Sequence, residues 1–400
     1  MSDALSAHRG FSVPTVISLS LFMAALEYFF IVQLAGGALR LSAWIVAAGL
    51  LFLFVMIQRT GNISRYRRIF FASSTFLFFP AFIANLLETR GAMTVGVREV
   101  FLNQTPFCHI VIPQTVLPYL LNGVVVFPAR LTDYFASVYA MIAIWLIATF
   151  TIGRGWCSWV CFYGGWDDAA SRVSKRPRLA IKDEGKRIRY FGFAVLGFVA
   201  LAGIATMTSV YCSWLCPFKT VTEYGELASG ASYIAFMIFI LLFFGTAIIL
   251  PILSGRRVQC MSLCPFGAFQ SIAGKASPYR VRIDAEKCTR CGLCARLCPV
   301  MAVDEASLGA GKPRILSTCT MCGECVTACP SRAAGYRFAW SRACGAREGG
   351  GWQARLAARG KTQGFAFGLA RTLSELASPQ ALVTTSGFII GMIITGSFSV

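Results

Sequence analysis

Sixteen cysteines stand in 400 residues, and their spacing carries the chemistry. Eight lie between Cys288 and Pro330, as Cys288, Cys291, Cys294, Cys298-Pro299 and then Cys319, Cys322, Cys325, Cys329-Pro330. This is the run C-x2-C-x2-C-x3-C-P, written twice. Thiolates at this spacing hold three irons of a [4Fe–4S] cube, and the fourth Cys of each run serves the other cluster. One cluster would take Cys288, Cys291, Cys294 and Cys329. The other would take Cys319, Cys322, Cys325 and Cys298. Zinc also accepts four cysteines, but its modules space them as two separated pairs.

Three C-x3-C pairs remain: Cys157/Cys161, Cys212/Cys216 and Cys260/Cys264. Residues i and i+4 share one face of a helix, so each pair presents two thiols together. One pair cannot enclose a cluster, because four ligands are usual. Two pairs can. Buried cysteine is also a common small hydrophobe, and such pairs also form disulfides.

Which pairs meet depends on the elements that carry them. The chain is 56% hydrophobic and 14% charged, against about 25% charged in ordinary soluble domains. Its mean hydropathy is +0.63. A transmembrane helix needs about 20 mostly apolar residues. The sequence offers six such spans, near 14–35, 39–57, 69–87, 135–153, 190–209 and 232–253. Glu27 falls inside the first, and an ionisable group at membrane depth is a functional hint. The fold class is a polytopic α-helical membrane protein with a ferredoxin-like α+β domain. Residues 1–254 form the transmembrane core, 255–282 a C-x3-C-P segment and linker, and 283–331 the domain for two [4Fe–4S] clusters. Residues 332–379 read as a basic connector. The uncharged end, 380–400, reads as a seventh span or a docked tail, with Gly387 and Gly391 four apart as in close helix contacts.

The formal net charge of +19 does not point to nucleic acid, because the basic residues cluster beside apolar spans. Loop 58–68 carries Arg59, Arg65, Arg67 and Arg68 with no acid, and loop 154–189 carries nine basic residues. Loop 88–134 is balanced, with three basic and three acidic residues. Lys- and Arg-rich loops stay cytoplasmic, and thiols kept reduced also favour the cytoplasm. Both lines place the ferredoxin part on the cytoplasmic side of a bacterial inner membrane. Cys157/Cys161 and Cys260/Cys264 then follow spans on the cytoplasmic edge and converge on one site. Cys212/Cys216 fall on the outer side, across about 30 Å of hydrocarbon. Their expected neighbours are Cys108 and His109 in the outer loop, making a further site of three Cys and one His. With two His in the chain, His8 and His109, a bis-His haem is excluded, and no nucleotide-binding glycine motif is present.

At these residues the chain resembles the membrane polyferredoxins of the NapH/NosR type, over roughly 60–340. The resemblance rests on Gly153-Arg-Gly-Trp-Cys157-x3-Cys161, on Cys260-x3-Cys264-Pro265-Phe-Gly-Ala-Phe269, and on the paired ferredoxin runs. It departs from that type at Phe162, where Pro is usual, in its additional pair Cys212/Cys216-Pro217, and in lacking the large flavin domain of the NosR branch. The resemblance implies electron transfer between cytoplasmic donors or the quinone pool and periplasmic acceptors. The expected partners are the lipid bilayer, a cytoplasmic donor or quinol, and a periplasmic flavoprotein or reductase. No acid–base pair or nucleophile emerges, so the chemistry belongs to cofactors. A quinol could enter at an aromatic and acidic cluster of Trp156, Trp159, Trp166, Asp167 and Asp168. The alternative is a membrane-bound metal reductase or assembly factor for a respiratory metalloenzyme.

Overall fold

The computed structural model describes residues 10–30, 41–90, 108–123, 129–131, 134–136, 138–174, 177–179, 181, 184–207, 209–217, 230–340 and 365–395. Cys344, much of the loop 88–134 and most of the basic connector lie outside the described residues. Each expected span overlaps a helix: Val13–Phe29, Leu41–Thr60, Ile63–Arg90, Val138–Ile152, Glu184–Thr206 and Gly230–Leu242, with 31–35 of the first span outside the described residues. Among the described residues, Leu41–Thr60 and Phe236–Ser254 are long and apolar enough to cross a membrane, and Val13–Phe29 and Tyr190–Thr206 are apolar but shorter. Large apolar side chains such as Leu41, Phe52, Ile147, Leu201 and Leu241 stand on open helix faces, more than single scattered residues would explain.

The chain divides into two compact units. The first comprises 1–74, 151–160 and 276–400. Its ferredoxin-like part is closed by strand Tyr279–Ile283 running antiparallel to Ala334–Phe338, with Val281 opposite Tyr336. The domain therefore extends past the expected boundaries of 283 and 331, because its two end strands pair with each other. A second two-stranded ribbon joins Val303–Asp304 to Arg314–Ile315. The cysteine runs follow one irregular path twice. Arg290 and Met321 take φ of 57° and 53°, and the glycines after the next Cys, Gly292 and Gly323, take 71° and 79°. Met301 and Arg332, three residues past the last Cys of each run, take 50° and 54°. Left-handed backbone is costly outside glycine, and its repetition shows that cysteine placement dictates the path.

The C-terminal helix Pro379–Thr395 is a packed element of this unit. Phe388 is fully buried. It stacks on Phe70 at 4.0 Å between ring centroids and meets Phe54 edge-on at 5.4 Å. A Cβ on Gly391 would stand 2.8 Å from the Trp159 carbonyl oxygen and from the Phe70 ring, and one on Gly387 would stand 2.8 Å from the Trp159 ring. The two glycines four apart thus permit the contact. At the other end, Glu375 of helix Phe365–Leu376 accepts from the Ser12 amide and hydroxyl and from Thr15 Oγ1, at 2.8, 2.6 and 2.8 Å. These bonds fix the start of the first helix.

The second unit comprises 75–150 and 161–275. Helix Glu184–Thr206 packs on the short helices Val258–Ser262 and Pro265–Ala273. Gly192 sets that approach, since a Cβ there would lie 2.8 Å from the Met261 carbonyl oxygen. A buried polar chain joins span and helix: Trp145 donates to Gln270 at 2.8 Å, and Gln270 donates to Thr149 at 2.9 Å. Apolar helix Gly230–Leu242 runs on through a π-helical stretch, Phe243–Ile249, into Leu250–Ser254.

Gly391→Ala should lower stability by about 1–3 kcal/mol through overpacking, measured as thermal unfolding in detergent. Gly368→Ala, where a Cβ would meet nothing within 4 Å, should be neutral or slightly stabilising.

Candidate functional site

The ferredoxin runs assemble across one another. Cys298, from the first run, lines one cavity with Cys319, Cys322 and Cys325 of the second, walled by Val281, Val300 and Ile315. Cys294 instead keeps company with Cys288, Cys291 and Cys329, whose proximity, after burial, raises its thiol pKa. Burial pushes Cys319 up to about 12, with Cys298 and Cys322 adding to the rise and Arg154 opposing it. Burial likewise takes Cys322 to about 11, with Arg67 opposing. Thiols so placed resist ionisation until positive charge is supplied among them, as a bound metal supplies it.

Among the described residues, no group of three or more His, Cys, Asp or Glu side chains is arranged to hold a single metal ion. A cube takes each sulfur on a different iron, so its ligands stand around a void, and the cavity above suits that demand. Backbone amides already point at the sulfurs: Ala302 N–H donates to Cys298 at 3.2 Å and Met321 N–H to Cys319 at 3.4 Å. Such bonds tune cluster potential.

The surroundings of the second run come from sequence that reads only as loop charge. Arg67 is fully buried, pairs with Glu324 at 3.5 Å, and donates to the Ser158 carbonyl at 2.9 Å. Arg68 reaches the same carboxylate at 3.1 Å, and the Ser64 hydroxyl donates to it at 2.7 Å. The segment Gly153-Arg-Gly-Trp-Cys157 lies under this run: Arg154 donates to the Ser317 carbonyl and Trp159 to that of Met321, each at 3.4 Å. Tyr336 donates to the same Met321 oxygen at 2.9 Å. Gly323 admits no side chain, since a Cβ would stand 2.9 Å from Ile63 and 3.0 Å from the Tyr336 hydroxyl. The sequence signal for this buttress was a Glu set between two ligand cysteines, at Cys322-Gly-Glu324-Cys325.

The second unit holds the remaining candidates apart from Cys157, which belongs to the first. His109 Nε2 lies 3.0 Å from Cys161 Sγ. Cys108 Sγ lies 3.9 Å from the Tyr163 hydroxyl. The two expected groups, one at the cytoplasmic edge and one outside, are therefore not kept a membrane thickness apart. The reason is the path of 109–122: the turn His109–Val111 and helix Ile112–Asn122 pack on Pro265–Ala273, and that helix also packs on Glu184–Thr206. Cys260 is held differently. Its amide donates to Asp167 at 3.0 Å, and Arg257 donates to its sulfur at 3.3 Å. Burial pushes the Asp167 carboxyl up to about 7, with Arg257 opposing. No disulfide joins the described cysteines.

The aromatic and acidic cluster expected for a quinol is divided between the units. Trp156 and Trp159 are buried in the first. In the second, Trp166 packs against Phe76 and Phe243, at 5.6 and 6.0 Å, and Asp167 turns to Cys260. Glu27 is buried, and its Oε1 has no hydrogen-bond partner among the described residues.

Comparison with known proteins agrees with the donor chemistry. A family described as 4Fe-4S dicluster domain matches residues 280–330. A family described as 4Fe-4S binding domain matches three times, at 134–179, 188–231 and 236–283. Each of these segments contains one C-x3-C pair. The chain is 33% identical over 150 residues to the methylamine utilization ferredoxin-type protein MauN of Methylobacillus flagellatus, covering 37% of this chain and 48% of that protein. It is 25% identical over 179 residues to the putative electron transport protein YccM of Escherichia coli, covering 42% and 48%. It is 26% identical over 161 residues to the ferredoxin-type protein NapH of Haemophilus influenzae, covering 40% and 52%. These matches support a ferredoxin-type protein of the NapH/NosR type. The chain spans about half the length of the first curated relatives it matches. No solved structure matches it. The triple match reveals an internal repeat: an apolar helix leads each time into a short helical turn that stops within two residues of Cys161, Cys216 or Cys264.

Cys298→Ala, though it alters the first run, should remove the cluster of the second, cutting iron by about four atoms per chain. Cys329→Ala should do the converse, with the two losses told apart by EPR. Glu324→Gln leaves Arg67 buried without its carboxylate and should cost about 3–5 kcal/mol, measured by thermal unfolding.

Proposed function

We propose that the chain is a membrane electron-transfer subunit that passes electrons through two [4Fe–4S] clusters in its ferredoxin-like part and onward through cysteine sites among its apolar helices. The observation that carries this is the crossed cavity, in which Cys298 joins Cys319, Cys322 and Cys325. A single-run site would do for a structural metal. Crossed sites place two clusters side by side, as electron passage requires.

In this reading the six apolar helices span a bacterial inner membrane, with the ferredoxin part on the cytoplasmic side. The basic loops at 58–68 and 154–189 support that orientation. A cytoplasmic donor or the quinone pool supplies electrons, and a periplasmic flavoprotein or reductase takes them. The clusters would supply the one-electron chemistry. The protein's own part is to exclude water around Cys322 and Cys325, to aim amides at sulfur, and to hold Arg67 and Arg154 nearby as fixed positive charge. Positive charge favours the reduced, more negative cluster, so Arg67 and Arg154 would raise its potential.

A second reading draws on His109 and Cys161. Imidazole and thiolate together also suit copper, which fits a factor that reduces or inserts a metal. Anaerobically purified protein separates the two. An electron carrier should contain iron and sulfide without copper, and its dithionite-reduced EPR signals should disappear when an oxidised quinone or periplasmic acceptor is added. Copper bound in stoichiometric amount, with clusters that no respiratory acceptor reoxidises, would establish the second reading instead.

A further inference from the structure

In the ferredoxin runs, the last two cysteines are themselves a C-x3-C pair, and they part company. Cys294 goes with its own run, while Cys298 turns to the other site. The crossing cysteine ends a short helix in extended backbone, at φ −68°, ψ 111° for Cys298 and φ −74°, ψ 110° for Cys329. The second cysteine of every pair in the repeat has that backbone: φ −70°, ψ 112° at Cys161, φ −73°, ψ 111° at Cys216, and φ −81°, ψ 108° at Cys264. Cys161 and Cys264 also accept from the amide three residues on, Gly164 at 3.3 Å and Gly267 at 3.4 Å. By this likeness Cys161, Cys216 and Cys264 are the crossing members, each turned away from its own partner.

The segment 108–114 touches all three repeats. Besides the Cys161 and Tyr163 contacts, the His109 ring packs edge-on against Phe266 at 4.9 Å, two residues past Cys264. Gln114 accepts from the Tyr211 amide at 3.1 Å, beside Cys212. Cys216 and Cys264 both lie within electrostatic reach of Cys108. Tyr211 is fully buried, its hydroxyl has no hydrogen-bond partner among the described residues, and Cys264, Cys216, Cys212 and Cys108 all lie within electrostatic reach of it. A sulfur-rich group among these cysteines is what that hydroxyl would satisfy.

We infer that Cys108, Cys161, Cys216 and Cys264 hold one further [4Fe–4S] cluster, with neutral His109 donating from Nε2 to the Cys161 sulfur. Each repeat gives one ligand and the segment before helix Ile112–Asn122 gives the fourth. This rests on the iron–sulfur reading above and redraws its ligand sets: Cys212 and Cys260, the first members of their pairs, lie outside this one. Hydrogen bonds to ligand sulfur raise cluster potential, so His109 is a positioning residue and not a ligand.

The test is iron and sulfide content with EPR on the full-length protein, purified anaerobically. Alanine at Cys108, Cys161, Cys216 or Cys264 should in each case remove about four irons per chain and the same EPR component. The ferredoxin signals should persist, which also shows that the variant has folded. His109→Ala should keep the iron and move that component's midpoint potential down. The assignment fails if Cys108→Ala and Cys216→Ala keep full iron while Cys260→Ala loses it. It also fails if wild-type protein carries only about eight irons, a result that leaves the ferredoxin reading intact. Absence of the ferredoxin signals from wild-type protein would instead remove the reading on which the inference rests.

Discussion

Buried thiols that face one another cannot all ionise. Each thiolate loses its hydration, and each repels the next, as the raised pKa values at Cys319 and Cys322 record. Only a group carrying several positive charges can reconcile so many sulfurs in so little water, and much of this fold is arranged so that such a group has somewhere to sit. The left-handed turns at Arg290, Met321, Met301 and Arg332 are otherwise a cost without a return. The glycines beside them leave room that side chains would take.

The Arg67–Glu324 pair shows the same constraint from the other side. A desolvated ion pair contributes little net stability, yet losing either partner is expensive. It therefore acts less as glue than as a register mark. It fixes the first turns of helix Ile63–Arg90 against the loop that bears Cys322 and Cys325, with Ser64 and Arg68 completing the carboxylate's partners. Trp159 packs in turn against Phe388, with Gly387 leaving room for its ring.

What could be read from sequence follows from what is local. The two cysteine runs and the apolar segments are legible from spacing within a few dozen residues, and the structure sets Cys298 of the first run beside Cys319, Cys322 and Cys325 of the second. The role of Arg67 was not legible, because an arginine beside a span reads as an orientation signal until its partner, 257 residues on, is known to meet it. The contact of His109 with Cys161 was hidden for a similar reason. Sorting loops by charge keeps the whole of 88–134 on the outer side, whereas 109–122 is packed among the helices of its unit. The threefold repeat is legible in sequence only as three C-x3-C pairs, because its copies share backbone shape and cysteine spacing more than side chains.

The two ferredoxin sites differ in shelter. Cys298, Cys322 and Cys325 are buried, whereas Cys291 is exposed and Cys288, Cys294 and Cys329 are only half-buried. Clusters on these two ligand sets would not age alike. Dioxygen and chelators arrive through water, so damage would begin at the Cys291 end and leave a protein with one cluster before it left one with none. The same opening is where another redox protein could come nearest to iron, so the vulnerable face and the useful face are one.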